Sequence, residues 1–266
     1  MMPAETGAYV AGIAFWSPRL PGWEIAAPVL AGRMPAPGAA VRRPTPALLP
    51  PTERRRAPDS VAVALEVAAR ACAAAELDAG QLASVFATAH GDLGITDYLC
   101  RTLVESPLQT SPTRFHNSVH NAAAGYWSIA GACHAPYTTV SVAEYSFGAG
   151  LLEALTQVAT GREPVLLVAY DAPACGPLAQ LVSCRGIIGA ALVLAPARSA
   201  PGAAHIRWSI AGPEAAAASE AAPALAAVAD DNPMAAALPL YAALAAGGGA
   251  VALPLSPTLA LRLEVR

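Results

Sequence analysis

Short apolar runs rich in branched residues alternate along this chain with segments whose apolar positions recur at helical spacing. Strands alternating with helices build a layered α/β domain around a mostly parallel sheet. Ala8 to Phe15 reads as the first strand, and residues 18 to 58, rich in proline and arginine, as an irregular excursion. Pro58-Asp59-Ser60 opens a helix, capped by Asp59 or Ser60, with apolar positions at Val61, Ala64, Leu65, Ala68 and Ala69. That helix ends near Leu77 to Gly80. Leu82 to Ala89 predicts a second strand leading into His90-Gly91-Asp92-Leu93-Gly94. Thr96 to Val104 predicts a helix, and Pro107 and Pro112 bracket a loop. Asn117 to Ala132 reads as a helix of small residues and Thr138 to Ala143 as a β-branched strand. Gly148 to Ala159 reads as a helix stopped by Gly161. Val165 to Tyr170 and Ile187 to Ala195 read as buried strands. Beyond Ala197, Ala, Gly and Pro dominate. Ala224 to Ala229 and Ala235 to Ala246 fit helices, Gly247-Gly248-Gly249 a flexible break, and Leu259 to Val265 a final edge strand.

Composition narrows the class. Hydrophobic residues make up 55% of 266 and charged residues 13%, too apolar for a disordered chain. Aromatics are 6%, so the core is built mainly from Ala, Val and Leu. All 16 basic residues are arginine, and the net charge of −3 excludes nucleic-acid binding through a broad basic surface. No apolar stretch reaches the roughly 18 residues of a membrane span. The nearest, Ala215 to Leu253, is broken by Glu220, Asp230, Asp231 and prolines. Five cysteines without a C-x-x-C pair fit neither a disulfide framework nor a zinc site. The N-terminus lacks the positive region of a cleaved signal, so a reduced, cytoplasmic protein is expected. A chain this apolar and weakly charged is expected to bury part of its surface against a partner.

Few constellations suggest chemistry. His116 and His120 have the spacing of paired metal ligands on a helix, but no third ligand and no H-E-x-x-H glutamate accompany them. The segment reads better as a helix start capped by Asn117 or Ser118, and no metal or cofactor is expected. Ser146 lacks the glycine two positions earlier that a nucleophile elbow needs, so it reads as a capping or turn hydroxyl. Cys133-His134 are sequence neighbours that do not face each other usefully, and His90 to Gly94 lacks a nucleotide-binding glycine pattern. Glu144 lies where a β-branched strand meets a helix N-terminus, whose N–H groups and dipole favour negative charge. Position alone leaves two roles open, a chemical one and satisfaction of those N–H groups.

At this junction an ordered series of motifs resembles the N-terminal half of a β-ketoacyl synthase. It comprises Arg54-Arg55-Arg56, Ala87 to Leu93, Ser111 to Phe115, Asn117 to Ala130 and Thr139 to Ala143, within a span from Val10 to Ala195. The resemblance implies a thiolase-like half-fold: a mixed, mostly parallel five-stranded sheet with helices on both faces. The synthase-like domain is expected over residues 1–198. Residues 199–266 are expected to form an extension with a final strand, part of the same domain or a lid.

In that family a nucleophilic cysteine follows the strand directly. Here Glu144 takes its place, while Ser146 keeps the family serine. A carboxylate supplies no thiolate for the acyl thioester. The resemblance also implies two catalytic histidines and a lysine from a second half. The chain as given ends at Arg266, contains no lysine, and has only His205 after His134.

The resemblance therefore implies a non-catalytic, chain-length-factor-like subunit. It would pair with a full-length ketosynthase, with an acyl carrier protein as a further partner, in pathways of the aryl polyene or xanthomonadin-like pigment type. The implied interface is Thr138–Ala143 and Asn117–Ala132. Its interface or tunnel candidates are Asn117, His120, Asn121, Tyr126, Trp127, Thr139, Ser141, Tyr145, Ser146 and Phe147, with Tyr126 and Trp127 as anchors. Two other readings stay open: a malonyl-carrier-protein decarboxylase or acyltransferase using Glu144 with His116 or His120, and a structural homodimer.

Overall fold

The computed structural model describes residues 7–38, 40–198, 200–212, 228–229 and 231–266. Strand β1 (Gly7–Trp16) leads through helices α1 (Trp23–Leu30) and α2 (Pro51–Arg56) to the long helix α3 (Asp59–Ala75). Strand β2 (Ala83–Ala87) and helices α4 (Leu93–Glu105), α5 (Pro112–His116) and α6 (Ala122–Ala130) follow. Next come strand β3 (Tyr137–Val140), helix α7 (Ser146–Gly161) and strands β4 (Val165–Asp171) and β5 (Ile188–Ala195). The chain continues through β6 (His205–Ala211), α8 (Leu238–Ala246), β7 (Gly249–Ser256) and β8 (Leu259–Val265).

The strands form one sheet in the order β3-β2-β4-β5-β1-β6-β8-β7. The α/β class, the mixed sheet and helices on both faces agree with the sequence reading. The strand count does not: eight strands replace the expected five, and only the β2–β3 and β2–β4 pairings are parallel. The other five pairings are antiparallel. Parallel neighbours need a crossover, usually a helix. Between β4 and β5 the chain carries only a short 3-10 turn at Gly176–Gln180 and returns antiparallel.

Several expectations are corrected by the elements themselves. The excursion at 18–58 contains α1, which tolerates Pro28 in its interior, and α2, which buries no side chain. Helix α6 begins at Ala122 because residues 117–121 are turns. Strand β3 stops at Val140, β6 alternates Ile206, Trp208 and Ile210, and β7 runs through Ala- and Pro-containing sequence; neither β6 nor β7 was expected. β8 is an interior strand, and β7 is the edge. Gly247, at φ 81, is the left-handed cap that ends α8, and Gly249 already belongs to β7, so the triple glycine is a stop and a start. Residues 224–227 of the expected Ala224–Ala229 helix lie outside the described residues.

Strands β4 and β5 are buried along their whole length because both faces are covered. Val165, Leu167 and Ala169 pack with α7, α1 and α8 on one face. Leu166, Val168 and Tyr170 pack with α3 and α6 on the other. None of the helices among the described residues is long and apolar enough to cross a membrane.

α3 lies so close to β1 that a Cβ built on Gly12 would stand 2.1 Å from the Ala71 carbonyl oxygen. Relief requires backbone movement, so Gly12→Ala is expected to cost about 2 kcal/mol or more. Gly125 of α6 has open space at the same position. There alanine is expected to stabilise by about 0.5–1 kcal/mol through its helix preference. Urea unfolding of the two variants checks both signs.

Candidate functional site

Parallel strands β3, β2 and β4 end on one side of the sheet, where α/β proteins commonly place ligand sites. The loops after β2 and β3 are stitched together there. Thr88 N–H donates to the Val140 carbonyl at 3.1 Å, and Ser141 Oγ donates to the Ala89 carbonyl at 3.0 Å.

Asp171, the last residue of β4, is 1% exposed and organises this end. Its carboxylate accepts Thr88 Oγ1 at 2.6 Å, Ala89 N–H at 3.0 Å and, more weakly, His90 N–H at 3.5 Å. Gly91 N–H in turn donates to Thr88 Oγ1 at 3.0 Å. The Asp171 main-chain carbonyl accepts Asn232 Nδ2 at 3.3 Å, and that amide also donates to the Gly186 carbonyl at 2.7 Å. Asn232 Oδ1 accepts Met234 N–H at 2.8 Å. The loop after β2 and the Asn232 segment thus converge on Asp171, and Asn232 ties Gly186 to the same point. Burial pushes its carboxyl up to about 6, while the bonds from Thr88, Ala89 and His90 pull the other way.

Between β3 and α7 the chain makes a tight turn. Tyr145 N–H donates to the Val142 carbonyl at 2.9 Å, and Ala143 takes a left-handed φ of 46°. Ser146 Oγ accepts Val142 N–H at 2.8 Å and donates to the Ala143 carbonyl at 2.7 Å, so Ser146 is a turn hydroxyl. No side chain caps α7. Glu144 is instead exposed on the turn, hydrogen-bonded to Tyr145 and facing the His90 imidazole.

Glu144 and His90 line an open pocket of about 300 Å³ with Val182, Ser183, Asp231 and Asn232. Burial lowers the His90 pKa and the Glu144 carboxylate partly opposes that, so the imidazole is neutral at neutral pH. Burial, and then the same carboxylate, raises the Tyr145 phenol. Chemically the pocket offers two carboxylates, Glu144 and Asp231, a neutral imidazole and a hydroxyl. Among the described residues it offers no thiol.

The structure separates the residues named from the sequence. His116 ends α5 and His120 lies in a turn, so they share no helical face and neither lines the pocket. His90 takes the place beside Glu144 that the sequence reading gave to them. Asn117 is buried and His120 half-buried, and Asn117 Oδ1 and His120 Nε2 lack hydrogen-bond partners among the described residues. Asn121 Nδ2 donates to Tyr137 Oη at 3.1 Å, tying the start of α6 to β3. Tyr126 is half-buried with its ring 6.4 Å from His116. Trp127, named as an anchor for a partner, is 1% exposed in the core beside α3, and Ile129, at 83%, is the apolar side chain α6 presents outward. Thr139 is half-buried opposite Phe86 in β3, Ser141 bridges the loops, Tyr145 is half-buried, and Phe147 is a core residue. His90 was visible in the sequence only as part of a glycine-containing loop. The parallel register Ala87–Val140 brings that loop to Glu144.

Three comparisons bear on this arrangement. The family model for the β-ketoacyl synthase N-terminal domain matches residues 31–256. No curated protein matches the chain. A chain of a ketosynthase in complex with its chain length factor from Xenorhabdus doucetiae superposes with a TM-score of 0.73 at 18% identity, covering 97% of this chain and 98% of that one. The ishigamide ketosynthase/chain length factor gives 0.71 at 19% identity, covering 98% and 99%. A type II PKS acyl-carrier protein in complex with its ketosynthase gives 0.72 at 13% identity, again covering 98% and 99%. At these identities the likeness is one of fold, and the fold is thiolase-like.

Titration of Asp171 has a readable consequence. A carboxyl whose folded pKa, about 6, exceeds its ordinary 3.8 stabilises the fold when protonated. That contribution is complete below pH 3.8 and is lost as pH rises through about 6. Its size is on the order of 3 kcal/mol. Urea unfolding across this range is expected to show the native chain losing stability relative to Asp171→Asn, which cannot ionise.

Proposed function

We propose that this chain, which belongs to the β-ketoacyl synthase N-terminal domain family, serves as a non-catalytic, chain-length-factor-like subunit of an active β-ketoacyl-carrier-protein synthase. The observation that carries the reading is Glu144, exposed on the strand–turn–helix junction where the resemblance places the family's cysteine. A carboxylate there holds no acyl thioester, and no thiol lines the described pocket to replace it. The subunit would then act by shape, lending its edge to a partner and helping to bound the partner's acyl tunnel. A polyene or fatty-acid-type pathway in the cytoplasm, with an acyl carrier protein as a further partner, fits the same reading.

The surface supports a partner on the β3 side. Among the described residues β3 pairs only with β2, which leaves the backbone groups of its other edge unpaired. β3 itself exposes Tyr137 at 41%, Val142 just beyond it is 42% exposed, and α6, tied to β3 through Asn121 and Tyr137, presents Ile129 outward. An open edge beside such a patch is a liability for an isolated chain and a ready seat for another one. Asn117, His120, Asn121, Thr139 and Ser141 lie on or beside the same strand and helix, and they remain the candidates for contact or tunnel lining.

One observation favours a second reading, decarboxylation or acyl transfer: the neutral His90 imidazole faces Glu144 across a pocket. Decarboxylation needs donors for the developing enolate. Both amide protons of Asn232 are already given to the Asp171 and Gly186 carbonyls, which weighs against it.

Co-expression with the ketosynthase encoded with the chain tests the first reading. A one-to-one complex is expected by native mass spectrometry, and Ile129→Glu is expected to weaken it at least about tenfold while leaving the chain folded. An unaffected complex, no complex at all, or condensation of acyl and malonyl groups by the chain alone would overturn it. Glu144→Ala is expected to leave product output unchanged. Lost output from an intact complex would instead establish the second reading.

A further inference from the structure

Strands β4 and β5 are antiparallel neighbours, yet residues 172–187 join them, far more than a tight hairpin uses. The base of this connection is fastened. Ala174 N–H donates to the Cys184 carbonyl at 2.8 Å, Cys184 Sγ donates to the Ala172 carbonyl at 3.1 Å, and the Gly186 carbonyl accepts Asn232 Nδ2 at 2.7 Å. Beyond that clip the chain is loosely held. Every residue from 175 to 183 is half-buried or exposed, and the 3-10 turn Gly176–Gln180 buries no side chain. A segment with few buried contacts opens and closes at low cost, and a fastened base makes it a flap.

One side of the flap rests on α4. Cys175 Sγ donates to Asp97 Oδ2 at 3.6 Å, and Gly176, at φ 57°, lies so close that a Cβ there would overlap Asp97 Oδ1. Burial, and then the Asp97 carboxylate, raises the Cys175 thiol above its ordinary range, so it stays a protonated donor. The latch is nonetheless weak, because a thiol is a poor donor. Asp97 is also paired with Arg101 of its own helix, so releasing Cys175 leaves the buried carboxylate compensated.

The other side of the flap borders the Glu144 pocket. Leu181, Val182 and Ser183 line it together with Ala229, Pro233 and Ala235. Leu181 is 82% exposed although this apolar wall shares its pocket. Removing such a side chain from water is favourable, so covering the wall stabilises a closed position. Arg185, just past the clip, meets Asp231 at 3.5 Å in an exposed pair that resists movement little.

We infer that residues 175–183 form a lid, held open on α4 by the Cys175–Asp97 latch, that swings about the Ala174–Cys184 clip to seat Leu181 on the apolar wall and cover Glu144 and His90. The pocket then has an open and a closed state, and the strength of the latch sets their balance. The lid acts on access to the pocket alone, so the inference does not rest on the subunit reading.

The test measures carbethoxylation of His90 by diethyl pyrocarbonate in the full chain at neutral pH, quantified by peptide mass spectrometry against the exposed His134. The neutral His90 imidazole is the form that reacts. Cys175→Ala and Gly176→Ala each break the latch, and both are expected to slow labelling of His90 at least about threefold with His134 unchanged. Adding Leu181→Ser to Cys175→Ala is expected to restore the native rate, because a hydroxyl gains nothing on an apolar wall. Amide hydrogen exchange in the native chain is expected to run at least about tenfold faster over residues 178–182 than at Ala174. If Gly176→Ala fails to fold, Cys175→Ala decides. Unchanged or faster labelling of His90 in Cys175→Ala, slower labelling that Leu181→Ser does not reverse, or equal exchange across the loop and its clip would overturn the inference.

Discussion

Asp171 is a buried carboxylate that the carboxyl end of the sheet is built around. Its side chain gathers the Thr88 hydroxyl and the Ala89 N–H of the loop after β2, and its main-chain carbonyl anchors Asn232, 61 residues later. A charge in so dry a place is costly, and the hydrogen bonds that offset the cost also fix the loops. The position of His90 follows from that clamp, and the position of Glu144 from the Ser146 bridge across the neighbouring turn. The pocket is therefore a consequence of two hydrogen-bonded turns on adjacent parallel strands.

The two edges of the sheet are treated differently. β7 carries Pro254 and a register shift between Pro254 and Ser256, both of which blunt strand addition. Its end also presses on α7, where a Cβ on Gly148 would meet the Pro254 carbonyl at 2.7 Å. β3 has no such protection, and it exposes Tyr137 and, just beyond its end, Val142. The chain therefore guards one sheet edge and leaves the other open among the described residues.

Charge is divided just as unevenly. Cations gather at α2, which carries Arg54, Arg55 and Arg56, while Glu144 and Asp231 make the pocket itself acidic. With no lysine in the sequence, the permanently cationic side chains are all guanidinium groups, whose planar fork is fixed.

The sequence by itself determined the local elements and the chemical identity of the junction. Apolar spacing marked α3, α7, β1, β4 and β5, since each is set by its own periodicity. The run Val142-Ala143-Glu144 announced a carboxylate between strand and helix because that turn is contiguous in the chain. Only the tertiary structure decided strand order, the dominance of antiparallel pairing and the burial of Trp127, all of which rest on contacts between distant residues. It also decided that His90 faces Glu144 while His116 and His120 do not, because parallel register places the ends of β2 and β3 side by side. Strand β7 escaped notice for a related reason: its small residues carry little intrinsic preference, and such a strand forms when neighbours supply the hydrogen bonds, whereas β6, with Ile206, Trp208 and Ile210 alternating, carried a local signal of its own.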